Sequence, residues 1–244
     1  MPVDYLRTLT APERTRQSNL HLGLSLAFVA GATNAGGFLA VKEYTSHMTG
    51  VVSSMADDLA LGRMDLVLDW FTSLLAFLLG AATSAVMINW ARRRRSRHEY
   101  TLPLLLEASL LLAFGVLGYM HHLIGTSMGI TVALLCYVMG LQNAMITKVS
   151  NAEIRTTHVT GLVTDIGIEL GKLLYWNRTP DSVATPLVRV NQERLKVHAK
   201  LVLSFFVGGV VGALGFKHVG YVSTVPLAIV LALLSSVQFL PARR

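Results

Sequence analysis

The chain has 244 residues, 52% hydrophobic and only 14% charged, with a mean hydropathy of +0.52. Soluble domains carry about 25% charged residues, so the sequence lacks the polar surface of a soluble fold and is too apolar to be disordered. Cys136 is the lone cysteine, which excludes a disulfide scaffold. The net charge of +7 is not gathered on a polar domain, which argues against a nucleic-acid binder. A polytopic helical membrane protein remains.

Residues 1–19 hold Asp4, Arg7, Glu13, Arg14 and Arg16 ahead of any apolar run. They lack the apolar core and cleavage site of a signal peptide, so a cytoplasmic N-terminal segment is expected. Six later segments are long enough to cross about 30 Å of hydrocarbon at about 1.5 Å per residue. Segment one is Leu20–Leu39, segment three Leu66–Trp90 and segment four Leu102–Leu123. Segment five is Ser127–Ile146, segment seven Val197–Phe216 and segment eight Tyr221–Leu240. Segments two (Thr45–Gly62) and six (Thr156–Leu174) are only moderately apolar and carry acids and hydroxyls.

Segments two and six match each other. Thr45-Ser46-His47-Met48-Thr49-Gly50 aligns with Thr156-Thr157-His158-Val159-Thr160-Gly161, and Asp58 then aligns with Glu169. Gly31 and Asn34-Ala35 match Gly140 and Asn143-Ala144 upstream; Phe77, Gly80 and Ala85 match Phe205, Gly208 and Ala213 downstream. Pro103-Leu104 matches Pro226-Leu227. The same order over four segments marks an internal duplication, with membrane repeats at 20–125 and 126–244 in one integrated domain.

Charge placement chooses a topology. If all eight segments span from a cytoplasmic N-terminus, 12 of the 21 Lys and Arg face inside and 9 outside, among them the run Arg92–Arg95 with Arg97. If segments two and six dip in and return, 18 face inside and 3 outside. The positive-inside rule favours the second arrangement. The expected fold is therefore all-α: two inverted repeats of three spanning helices, each with one re-entrant broken helix. Four plus four spans is the alternative. Both termini are then cytoplasmic.

In the inverted arrangement the Lys42–Ser46 and Ile154–Thr157 stretches run extended to mid-bilayer, at about 3.3 Å per residue. Short helices then start near Thr49-Gly50 and Thr160-Gly161, with Thr as cap and Gly easing the turn. Their N-termini would point unpaired N–H groups and positive dipole ends into one central space. Inverted repeats with facing broken helices are a transporter architecture. The candidate pathway residues are His47, Thr49, Gly50, His158, Thr160, Gly161, Asn34, Asn143 and Gln142. The histidines could switch charge near neutral pH, and the asparagines either line the space or bond the broken backbone. Asp58 and Glu169 are coupling or gating candidates, with ion pairs to Arg63 or Lys172 as the simpler role. Glu107 either snorkels, pairs with the arginine run or serves transport. His121 and His122 fall in an expected outer loop without further metal ligands. Gly208-Gly209-x-x-Gly212 and Gly80-Ala81-x-x-Ser84-Ala85 suit close helix packing.

The Gly-x-x-Asn-Ala stretches, the Thr-Gly turns and the run Gly140–Ala144 resemble the YoaK family of bacterial integral membrane proteins, over about Leu20–Leu240. In that family an Asn often follows Thr-Gly; here Val51 and Leu162 stand there. The resemblance implies a bacterial inner membrane and names no substrate, because the function of that family is uncharacterised. The sequence holds no H-E-x-x-H, nucleophile constellation or nucleotide loop, so no enzyme, catalytic residue, metal or cofactor is expected. The expected function is a small-solute transporter or channel for an anionic or polar solute, with a membrane-embedded sensor or scaffold as the first alternative and an intramembrane enzyme using His47 and His158 as the second. Its partners would be the bilayer and that solute, with room for a homo-oligomer and no nucleic acid.

Overall fold

A computed structural model describes residues 16–41, 44–94, 96, 99–124, 128–149, 159–177 and 187–236. Among the described residues all regular structure is helical. The helices are α1 (Arg16–Val41), α2 (Met48–Ala60), α3 (Met64–Arg93), α4 (Thr101–Ile124), α5 (Met128–Val149), α6 (Val159–Leu174), α7 (Gln192–Val219) and α8 (Thr224–Ser236). A 3-10 turn, Gly220–Ser223, joins the last two.

Among the described residues, five stretches are long and apolar enough to cross a membrane: Gln17–Leu39, Met64–Arg93, Thr101–Met120, Gly129–Lys148 and Gln192–Ser235. They mark the chain as a multi-pass membrane protein. The last, 44 residues long, holds both segment seven and segment eight. Its break falls at Gly220, whose φ of 66° is one that a residue with a Cβ rarely adopts. Tyr221 then meets the rings of Phe114 and Phe216 edge-on, at 5.7 and 6.2 Å between centroids. The turn is thereby pinned to α4 and α7.

Helices α2 and α6, with 13 and 16 residues, reach about 20 and 24 Å at 1.5 Å per residue. That falls short of the hydrocarbon thickness, and neither is among the candidate spans. One expectation needs correction. Helix α4 continues to Ile124, so His121 and His122 lie in its last turns and not in a loop. The Tyr221 ring lies against Gly118 and Tyr221 meets Phe114, so packing holds this part of α4 helical despite its glycine.

The packing crosses the two halves. Helix α1 lies chiefly against α7, α3 against α5, and α4 against α8. A Cβ on Gly31 would collide with the Phe205 carbonyl, and one on Gly208 with the Phe28 carbonyl. The other pair repeats this: Gly140 lies against the Phe77 carbonyl and Gly80 against the Tyr137 carbonyl. Small residues at these crossings let backbones touch where lipid offers no hydrophobic drive. The apolar windows of α1 and α5 are 61% and 67% buried, against 22% for α3 and for α7 with α8. So α1 and α5 are the inner helices. Helices α3 and α7 turn Leu68, Phe71 and Leu78, and Leu203, Phe206 and Leu214, outward.

Candidate functional site

After α1 the chain turns back along that helix. The Tyr44 ring stacks on Phe38, with centroids 4.3 Å apart. Ser46 then donates its backbone N–H (3.2 Å) and its hydroxyl (2.9 Å) to Asn34 Oδ1. Asn34 lies seven residues before Val41, about 10 Å back along the helix axis. Of the two roles open to Asn34, its side chain takes up the bonding of the broken backbone.

The approach to α2 differs from the extended strand expected. Residues 45–46 form a turn, and the His47 N–H donates to the Tyr44 carbonyl at 3.3 Å. The Asn34 acceptor draws Ser46 inward and makes a turn the shorter route. The cap also differs. His47, at φ −95° and ψ 69°, is the N-cap residue of α2, and its carbonyl accepts the first helical bond from Val51 N–H at 3.1 Å. Thr49 therefore lies inside the first turn and does not cap. Gly50 makes room for the imidazole, since a Cβ there would sit 2.5 Å from His47 Nδ1.

Helix α6 starts at Val159, one residue ahead of Thr160. His158, like Thr156 and Thr157, lies outside the described residues. Nothing lies within 4 Å of a Cβ placed on Gly161.

The two short helices meet at one cavity. It is a partly open space of about 160 Å³ lined by Ser46, His47, Met48, Thr49, Phe77, Asn143 and Thr160, of which His47, Thr49 and Thr160 are exposed. Phe77 is at the middle of α3, 13 residues after Met64 and 16 before Arg93. Asn143 is 8% exposed, and its Oδ1 has no hydrogen-bond partner among the described residues. The first turns of α2 and α6 hold no acid, so within those turns no carboxylate offsets the positive end of either helix dipole. Among the described lining residues His47 alone is ionisable. Gln142 does not line the cavity: it is fully buried and donates through Nε2 to the Leu26 carbonyl at 3.0 Å, fastening α5 to α1.

At their far ends both short helices are tied to the long helix that follows. Asp58, 4% exposed, is paired with Arg63 and accepts from Trp70 Nε1 at 2.7 Å. Glu169, 3% exposed, accepts from Lys172 Nζ at 2.8 Å and from the Asn191 backbone N–H at 2.7 Å. Asn191 in turn caps α7, accepting from Arg194 N–H at 3.0 Å. Donation from Lys172, then from Asn191, holds the Glu169 carboxyl below the usual carboxylate range. Asp165 faces Arg194 at 3.6 Å and His198 at 3.8 Å. Glu107 does not snorkel. It is fully buried, and both its oxygens lack partners among the described residues.

The cavity thus unites His47, Thr49, Asn143 and Thr160, while Asn34 and Gln142 hold its walls and Asp58 and Glu169 stand apart. Sequence reasoning did not name Ser46, Met48 or Phe77 as site residues, nor Trp70 and Asn191 as partners of the acids.

The sequence model of one family, described as a protein of unknown function (DUF1275), matches residues 22–237. No curated protein and no solved structure matches the chain.

Proposed function

The chain belongs to the DUF1275 family, whose function is unknown, and from that premise we propose that it is a small-solute transporter or channel with its site between the two short helices. The observation that carries this reading is the shared cavity. Two distant, matching segments supply His47 and Thr49 from one side and Thr160 from the other, beside Asn143, whose side-chain oxygen has no partner among the described residues. Irregular backbone at such depth persists where it is buried in protein or lines a wet space. A volume of about 160 Å³ equals about five waters at ~30 Å³ each, which suits a solute of a few heavy atoms. Two helix N-termini and one histidine favour an anionic or polar solute.

The topology that goes with this is two inverted repeats of three spans. Two observations support it: the return of Tyr44 and Ser46 along α1 and the reciprocal glycine crossings. The distribution of Lys and Arg puts both termini in the cytoplasm, and the resemblance to the YoaK family fits a bacterial inner membrane.

Reconstituted vesicles test the function. Swelling or quenching assays with formate, nitrate and glycerol as probes should show flux of at least one through the wild type. Thr49→Trp, which fills the cavity, should abolish it, while Leu78→Trp on the outer face of α3 should not. Equal flux in the wild type and Thr49→Trp would remove the cavity from the pathway.

A further inference from the structure

Glu107 is a buried charged residue that neither the cavity nor the helix ties absorb. It lies six residues into α4, about 9 Å from the start of that helix. It shares the inner face of α4 with Leu104, Ala108 and Leu111, while Leu102, Leu105 and Leu112 face outward. Leu104, Ala108 and Leu111 belong to an apolar cluster with Met145, Leu227 and Leu231. The carboxyl is fully buried, and both oxygens lack a partner among the described residues.

The helices around it offer no counter-charge. Helix α8 carries no ionisable side chain. On α5 the titratable groups are Cys136, Tyr137 and Lys148. Lys148 Nζ donates to Asn89 Oδ1 at 2.9 Å, and the Tyr137 hydroxyl donates to Thr83 Oγ1 at 2.8 Å. On α3, Asp65 and Asp69 lie at the opposite end from Arg92 and Arg93. Arg92 is engaged by Glu99 at 2.9 Å and by the Tyr100 hydroxyl at 2.6 Å. The 3-10 turn contributes only Tyr221.

An ionised carboxylate with neither water nor partner does not persist in an apolar interior; it takes up a proton instead. A metal cation is a poor alternative, because hard cations need several oxygen ligands. Among the described residues no group of His, Cys, Asp and Glu could hold one. We propose that Glu107 is a proton-binding site embedded between α4, α5 and α8, neutral in the closed packing seen here and exchanging its proton when that seam opens to water. On release the O–H bond breaks, both electrons stay on the carboxylate, and the proton passes to water.

The test uses the purified full-length protein in lipid discs without any solute, so it can fail while the transport reading stands, and the reverse. Infrared spectra at neutral pH should show a carboxylic-acid C=O band that Glu107→Gln removes and that shifts slowly in deuterated water. Dicyclohexylcarbodiimide, which attacks protonated carboxyls in apolar surroundings, should add once per chain on the Glu107 peptide and not on Glu107→Gln. The variant is neutral and nearly isosteric, and gel filtration and helical circular dichroism should match the wild type. Identical infrared spectra of wild type and variant would overturn the proposal. So would a band that never exchanges, since it would mark a sealed structural acid.

Discussion

Asn34 and Ser46 are joined by two hydrogen bonds to a single oxygen, Asn34 Oδ1, at 3.2 Å from the Ser46 N–H and 2.9 Å from its hydroxyl. That oxygen satisfies a backbone donor at the point where the chain turns into α2. Asn34→Ala should therefore cost about 1 kcal/mol, the net worth of a hydrogen bond whose part-buried donor can turn to water. Asn34→Asp, which keeps the acceptor, should cost less. Thermal unfolding in detergent checks this, and an unchanged midpoint for Asn34→Ala would contradict it.

The crossings at Gly31 and Gly140 make a paired prediction. Each glycine lies against a carbonyl of the opposite half, Phe205 and Phe77 respectively. Gly31→Ala and Gly140→Ala should lower folded yield and melting temperature by similar amounts. Gly171, in α6 with nothing within 4 Å of its Cβ position, should respond the other way. Gly171→Ala should be neutral or stabilise by about 0.5–1 kcal/mol, since Gly is the poorer helix former. Size-exclusion profiles of the three variants decide it.

Much of the helical architecture was legible in the sequence because matched motifs recur along it. The small-residue faces around Gly80 and Gly208 carry the helix packing that their composition suggests. The acids Asp58 and Glu169 have the bases Arg63 and Lys172 beside them in sequence, and they pair with them. What stayed hidden depends on tertiary position. The cap fell to His47 and not to Thr49, because Asn34 pulls the preceding residue inward. Trp70 gave no local sign that its indole N–H reaches Asp58. Nor does a lone Glu in an apolar run reveal whether its head reaches water; Glu107 does not.

The Trp70–Asp58 bond fixes the outer end of α2 to α3. Trp70→Phe keeps most of the ring and removes the donor. It should cost about 1.5–3 kcal/mol, the range for a hydrogen bond to a charged group. Backbone hydrogen exchange should then rise across residues 48–60 and stay unchanged in α5. Uniform exchange along the chain would show that the bond does not anchor α2.

Glu169 gives a pH prediction. Its carboxyl is held below its ordinary value by Lys172 and Asn191. A depressed folded value adds stability above the unfolded value of about 4.3, and that stability is lost as pH falls through the folded value. Between neutral pH and about pH 5 the wild type and Glu169→Gln should therefore differ by a constant amount. Below about pH 4 the difference should shrink. Paired melting curves across that range check it, and a gap that widens in acid would reverse the sign.

The orientation of the two halves is the most direct test of the whole account. In a Cys136→Ser background, single cysteines at Ser96, in the basic run, and at Thr185, between α6 and α7, can be labelled with an impermeant maleimide from each side of the membrane. Inverted repeats with two dipping helices predict that both label only from the cytoplasm. Labelling of residue 96 from outside, with residue 185 still inside, would make all eight segments span and would dissolve the central site.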